Sequence, residues 1–74
     1  MRLSEVKTGD DCVIRSVDGD SRGARRLRDI GFVRGTHVMK VSVSPSGDPA
    51  EYSLRGYSVI IRRELSELVL VRVL

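Results

Sequence analysis

The stretch that decides the fold is Leu27-Arg28-Asp29-Ile30-Gly31-Phe32-Val33-Arg34-Gly35-Thr36. Gly31 follows the last apolar residue of a helical pattern, where helices commonly end in a left-handed residue, and Phe32 can then contact Leu27 as a Schellman motif requires. Gly35 stands third in the four residues that follow Phe32, where a type II turn needs a positive φ. We therefore predict that a helix ends at Gly31 and that a tight turn then leads into a strand.

A short amphipathic helix precedes this end. Apolar residues recur at helical spacing from Ser21 to Ile30, and at about 100° per residue Ala24 shares one face with Leu27 and Ile30. The hydroxyl of Ser21 is suited to cap the first turn. The opposite face carries the charged residues Arg22, Arg25, Arg26 and Asp29.

This basic helix face is the candidate partner-binding surface. One carboxylate cannot neutralise three arginines, and an excess of like charge on one helix face slightly opposes folding. We therefore predict that Arg22, Arg25 and Arg26 contact a partner, and that Arg34 lies near their end of the domain. The alternative is a solvated helix face on which Asp29 forms local ion pairs with Arg25 and Arg26.

Short segments rich in β-favouring residues make up most of the remaining chain. They are Cys12–Val17 before the helix and His37–Val43, Ala50–Arg55, Tyr57–Arg62 and Leu68–Val73 after it, with a helical turn around Glu64-Leu65. About five short strands, with one short helix between strands 1 and 2, predict a mainly-β domain over residues 1–74 that folds as a small SH3-like barrel. The predicted structural turn residues are Gly31, Gly35, Pro45, Gly47, Asp48, Pro49 and Gly56.

Side-chain alternation assigns the inner face of one strand and leaves another open. Ala50, Tyr52 and Leu54 alternate with polar residues, so these three side chains are predicted to face the core. In His37–Val43 both alternating sets contain apolar residues, and Val38 fits either the inside or the outside of the sheet.

Composition excludes several classes of protein. No apolar run reaches the roughly 18 residues of a membrane-spanning helix, and no signal-peptide segment is visible, so the expected compartment is the cytoplasm. A single cysteine and a single histidine exclude an intrachain disulfide and a zinc ribbon. The net charge of +3, carried mainly by arginine, admits acidic protein surfaces, anionic lipid and nucleic acid as partners.

The inventory of reactive side chains predicts a protein that is not an enzyme and has no small-molecule substrate. Cys12 lies in an apolar segment, where a structural cysteine is expected to be inert, and His37 has no second ligand beside it. Neither a phosphate-binding loop nor a dinucleotide fingerprint occurs. Asp18, Asp20, Asp48 and Glu51 lack calcium-loop spacing, so at most weak association with ferrous or another divalent metal ion is expected.

Several landmarks together resemble the ferrous iron transport protein A (FeoA) family, over nearly the whole chain. They are Leu27, Ile30-Gly31-Phe32, Gly35-Thr36, Pro45-Ser46-Gly47-Asp48-Pro49, Arg55-Gly56 and Ile60-Ile61-Arg62. Arg34 departs from the pattern, since the family usually has proline before this glycine, but arginine is tolerated at the second position of the turn.

The resemblance implies a bacterial SH3-like accessory protein that binds the membrane ferrous iron transporter, a protein with a GTPase domain. It would be cytoplasmic and peripheral to the inner membrane through this partner. The family is described in connection with transition metals, but the sequence places no metal site. The alternative is a nucleic-acid-binding small barrel, or an SH3-like domain related to that of iron-dependent transcriptional repressors. Nucleic acid is disfavoured because only three residues are aromatic, too few for a base-stacking surface.

The C-terminal segment Leu68–Leu74 is apolar on both faces, although half of a small barrel's strand should contact water. Such a strand lies beneath another element or meets a partner along its edge. The sequence therefore predicts a homo-oligomer formed through this strand.

Overall fold

The computed structural model describes every residue from Met1 to Leu74 and has five strands and two short helices. A 3-10 helical turn at Leu3–Glu5 is followed by β1 (Asp11–Val17), α1 (Arg22–Asp29), β2 (His37–Val43), β3 (Ala50–Leu54), β4 (Tyr57–Ile61), α2 (Arg63–Ser66) and β5 (Val69–Val73). All strand pairs are antiparallel, in the order β4-β3-β2-β1-β5. The predicted mainly-β class, with a helix between strands 1 and 2, is confirmed.

The end of α1 has the hydrogen bonds that the sequence predicts. The Phe32 amide donates to the Leu27 carbonyl at 3.0 Å and the Gly31 amide donates to the Arg28 carbonyl at 3.1 Å, which is the bond pair of a Schellman motif. Gly31 has φ +117°. At the other end, the Ser21 hydroxyl accepts from the Ala24 amide at 3.1 Å.

The turn after Phe32 joins α1 to the sheet. The Thr36 amide donates to the Val33 carbonyl at 3.0 Å, and Gly35 has φ +89°, as the predicted turn requires. The Gly35 amide donates to the Ile14 carbonyl at 2.8 Å, while the Ile14 amide donates to the Thr36 carbonyl at 2.9 Å. The turn therefore lies against β1 and extends the pairing of β1 with β2.

The inner faces of the strands build one hydrophobic core. Ala50, Tyr52 and Leu54 are buried, as alternation predicts. In β2 the open register is resolved, because Val38 is 1% exposed. The core residues are Leu3, Val6, Cys12, Ile14, Leu27, Phe32, Val38, Ala50, Tyr52, Leu54, Ile61, Val69 and Val71.

Three apolar side chains of β2 are partly exposed. Met39, Val41 and Val43 are each about two-fifths exposed at 38%, 40% and 42%. A register shift between Lys40 and Ser42 places Val43 opposite buried Ala50, so Met39 and Val43 lie on different faces of the sheet. Pairing with β1 and β3 places Val38 on the inner face.

The two edge strands of the sheet, β5 and β4, have different neighbours. Beside β5, the Met1 carbonyl accepts from the Val71 amide at 2.8 Å and Arg2 forms a bridge with Leu70. The N-terminal residues therefore cover part of the β5 edge. The β4 edge lies next to the two helices. Neither helix is long and apolar enough to cross a lipid bilayer.

Candidate partner-binding site

The outer face of α1 presents the three predicted arginines, but their ionic environments differ. Arg22, Arg25 and Arg26 are all exposed. Arg25 donates two hydrogen bonds to Asp20, from Nε to Oδ1 at 3.1 Å and from Nη2 to Oδ2 at 3.0 Å. Arg22 and Arg26 form no ion pair. The basic character of this face is thus concentrated in Arg22 and Arg26, one helical turn apart.

The predicted ion pairs of Asp29 with Arg25 and Arg26 do not form. Side chains on a helix lean toward its N-terminus, so Arg25 extends to Asp20 before the helix rather than to Asp29 after it. The hydrogen bond from Arg25, and then the charge of Arg28, hold the pKa of the Asp20 carboxyl below its usual range. The same bond raises the pKa of the Arg25 guanidinium.

Arg28 is a structural residue of the loop before α1. Its Nη2 donates to the carbonyls of Val17 and Gly19, each at 2.6 Å. This arginine fastens the end of β1 to the helix, so that the helix lies at a fixed position over the sheet.

An apolar groove runs beside the helix and has a volume of about 300 Å³. It lies between α1, β4 and α2, and Arg26 stands in its wall. The two helices approach so closely that a Cβ at Gly23 would lie 2.5 Å from Leu65 Cδ2. The other lining residues are Leu27, Ile30, Val59, Ile60 and Ile61. Ile60 is 64% exposed, so the groove offers aliphatic surface to a partner.

The loop between β2 and β3 holds α2 against this groove. The Asp48 carboxylate accepts from the Arg63 amide at 2.9 Å, at the start of α2, and Arg63 Nη2 donates to the Gly47 carbonyl at 3.0 Å. Gly47 has φ +91° and its amide closes a turn on Ser44 at 2.8 Å. The Asp48-Pro49 peptide bond is cis. The loop residues predicted as turn formers therefore also position α2.

The hairpin between β3 and β4 contacts the other end of α1. Gly56 has φ +84° in this hairpin turn. The Tyr57 hydroxyl donates to the Ile30 carbonyl. A Cβ at Gly31 would lie 3.0 Å from the Tyr57 hydroxyl oxygen and 3.3 Å from Leu54 Cδ1, so the hairpin packs directly onto the helix end.

Arg34 shares no surface depression with the helix arginines, and its part in partner binding stays a prediction. It lines a shallow depression together with Arg15 and Arg72, and a second one together with His37 and Arg55. The reason is the turn after Phe32, which pairs with Ile14 in β1 and carries Arg34 over the sheet.

No local signal in the sequence predicted this second arginine cluster, beyond outward positions in predicted strands. Arg15 and Arg72 are 57 positions apart in the chain, and only the pairing of β1 with β5 brings them together. Local periodicity carries no information on which strands become neighbours.

The candidate reactive residues have no shared site. Cys12 is buried, and burial, followed by the charges of Asp11 and Asp10, raises the pKa of its thiol to about 11. Its Sγ donates to the Val38 carbonyl at 3.4 Å. His37 is exposed at the start of β2. No three side chains of His, Cys, Asp or Glu cluster in a way that could hold a metal ion.

Comparison with known proteins places the chain in a family. The FeoA domain model matches residues 1–73. The chain belongs to the FeoA family. A fusion of Fe(2+) transport protein A with the Fe(2+) transporter FeoB in Porphyromonas gingivalis is 42% identical over 64 residues, which are 86% of this chain and 8% of that protein. The chain thus spans a small part of this relative. The family is linked to ferrous iron transport, as predicted.

Solved structures of other FeoA proteins have the same fold. The solution structure of a Clostridium acetobutylicum FeoA-like protein has a TM-score of 0.94 and 34% identity, and covers 100% of this chain and 86% of that one. The crystal structure of Stenotrophomonas maltophilia FeoA complexed with zinc, described as an SH3 domain protein, has a TM-score of 0.87 and 32% identity, with 97% and 89% coverage. The predicted family and SH3-like fold are confirmed.

Proposed function

We propose that the chain is a cytoplasmic accessory protein of ferrous iron uptake that binds the cytoplasmic part of a FeoB-type transporter. The observation that carries the proposal is the P. gingivalis relative, in which a FeoA domain is fused to the transporter. Fusion holds two modules at a high effective concentration, which favours their association. The S. maltophilia protein has likewise been suggested as a ferrous iron transport activating factor.

The proposed interface combines the apolar groove with the basic helix face. Leu27, Ile30 and Ile60 supply aliphatic contact, while Arg26 lines the groove and Arg22 lies one turn before it. This arrangement fits an amphipathic segment whose apolar residues enter the groove and whose carboxylates meet the arginines. The proposed function is binding alone, without a catalytic step or a small-molecule substrate.

The nucleic-acid alternative receives less support from the structure. Base stacking needs exposed aromatic faces. Phe32 and Tyr52 are at most 1% exposed, and Tyr57, at 43% exposure, offers a single ring, which is too few for a base-stacking surface. We therefore favour protein binding.

Self-association through the C-terminal segment stays a prediction. The β5 edge is covered by Met1 and Arg2 near Leu70, which reduces the edge available for pairing. Val73 and Leu74 stay exposed, at 37% and 63%. Any contact between copies would therefore use the end of the segment, and sedimentation of a Leu74→Asp variant tests this.

The test of the proposed function is titration of the purified cytoplasmic part of a FeoB-type transporter with this chain, by calorimetry and stopped-flow fluorescence. We expect Ile60→Asp to weaken binding by about tenfold or more, because a charge enters the groove. The Arg22→Glu/Arg26→Glu variant should slow association by about tenfold, and added salt should have the same effect on the wild type.

Met39→Asp is the matched control for the groove variant. Met39 is also an exposed apolar strand residue, but it lies on the outward face of β2 and does not line the groove. It should leave the affinity unchanged. Equal weakening by both aspartates would contradict the groove as the interface, and absence of wild-type binding would refute the proposed function itself.

A further inference from the structure

Three arginines from distant parts of the sequence converge on the outer side of the β1–β5 pair. Arg72 lies opposite Val13 in the register, and Arg15 stands where the register shifts between Ile14 and Ser16. The turn that pairs with Ile14 supplies Arg34. We define Arg15, Arg34 and Arg72 as the arginine face. Together they line a depression of about 430 Å³, whose floor is formed by β1.

The arginine face has no negative charge to balance it. All three side chains are exposed, and none forms an ion pair. Arg15 and Arg34 line two depressions, one with Arg72 and one with Met1, and no Asp or Glu lines either of them. The depression that Arg34 lines with His37 and Arg55 likewise contains no Asp or Glu. By contrast, Arg2 is paired with Asp18 and Arg25 with Asp20. Repulsion among the unpaired arginines opposes folding, and an external anion would relieve it.

Exposed aliphatic side chains flank the arginine face. Met1, which is 60% exposed, lines a depression with Arg15, Arg34 and half-buried Leu70. Arginine heads beside aliphatic groups match the boundary of a bilayer, where phosphates lie next to acyl chains. A nucleic acid would leave the aliphatic groups without a partner.

We propose that the arginine face binds the anionic phospholipid surface of a membrane. The guanidinium groups meet headgroup phosphates, which guanidinium geometry suits, and Met1 reaches the acyl boundary. Each arginine near such a surface strengthens partitioning by about fivefold, so three supply about a hundredfold. Binding of this strength is reversible and sensitive to salt.

The proposal stands apart from the transporter contact, which uses the groove and α1. Its test therefore contains no transporter. The chain is sedimented with vesicles of phosphatidylcholine alone and with vesicles in which one third of the lipid is phosphatidylglycerol. We expect binding to the anionic vesicles only, and its loss in high salt.

The decisive variant is Arg15→Glu/Arg34→Glu/Arg72→Glu, which should lose at least about a hundredfold in partitioning, since it removes three attractive charges and adds three repulsive ones. Its matched control, Arg22→Glu/Arg25→Glu/Arg26→Glu, changes the net charge equally on the helix and should retain binding within about threefold. Far-ultraviolet dichroism checks the fold of both variants. If the triple variant unfolds, Arg34→Gln, a change in an exposed turn, should still lose about fivefold.

Two results would overturn the proposal. Equal loss in both triple variants would show that net charge alone drives adsorption. Tighter binding of polyglutamate or duplex DNA than of anionic vesicles, with the same dependence on Arg15, Arg34 and Arg72, would reassign the face to an acidic protein or a nucleic acid.

Discussion

The two arginine-rich regions differ in how their charges are compensated. On α1, Arg25 has a partner five positions away in the sequence, the Asp20 carboxylate, while Arg22 and Arg26 form no ion pair. On the arginine face, side chains from β1, the turn and β5 have no carboxylate within reach of an ion pair. Local sequence can supply a counter-charge for neighbours on one helix. Charged residues that are brought together by tertiary pairing have a counter-charge only where another distant segment of the chain supplies that charge.

The largest expected effect tests the residue that joins these two regions. Gly31 ends α1 and precedes the turn that carries Arg34. Gly31→Val should lower the free energy of unfolding by about 3 kcal/mol, because a positive φ is strained for valine and its Cβ would crowd Tyr57 and Leu54. Urea denaturation measures the change.

Gly19→Val is the control for backbone strain alone. Gly19 has φ +76°, but nothing lies within 4 Å of its Cβ position. Gly19→Val should lower the free energy of unfolding by about 1 kcal/mol. If Gly31→Val and Gly19→Val lower the free energy of unfolding equally, the β3–β4 hairpin does not pack on the end of α1 as described.

A smaller effect separates the groove from the arginine face. Asp48→Ala removes the acceptor for the Arg63 amide and should cost about 1 kcal/mol of unfolding free energy, whereas Asp48→Asn keeps an acceptor and should cost less. The alanine variant should weaken transporter binding, since α2 lines the groove, and leave vesicle binding unchanged. Loss of both activities would mean that the two surfaces are not independent.

The smallest effect compares the two charge environments directly. Arg34→Gln removes repulsion and should raise the unfolding free energy by a few tenths of a kcal/mol at low salt, with the gain fading as salt is added. Arg25→Gln should lower stability instead, because it leaves Asp20 without its main hydrogen bond. Thermal denaturation at low and high salt measures whether each variant is more or less stable than the wild type. A loss of stability in Arg34→Gln would show that its charge is compensated after all.

The dependence of stability on pH gives a further test of the ion pair between Arg25 and Asp20. The folded-state pKa of Asp20 is lowered by Arg25, so its stabilising contribution is present above the unfolded-state pKa and disappears as the pH falls through the lowered value. The stability difference between wild type and Arg25→Gln should therefore shrink below about pH 4.

The sequence predicted the elements better than it predicted the sites. Strand boundaries agree within one residue, because β-rich runs and their bounding turn residues are local signals. The role of Asp48 as a cap for α2 was not predictable from turn chemistry, since its partner Arg63 is fifteen positions away. Of the predicted partner-binding residues, Arg22, Arg25 and Arg26 share a surface, while Arg34 belongs to another.

The sequence by itself determined the helix, its end at Gly31, the turn at Gly35 and the inner face of β3. Each depends on the backbone preferences and side-chain period of adjacent residues, which act before any long-range contact forms. Only the tertiary structure decided that Val38 faces inward, that α2 borders a groove and that Arg15, Arg34 and Arg72 share one surface. These outcomes depend on which strands pair and in which register, and that pairing is set by burial of the whole core rather than by any local pattern.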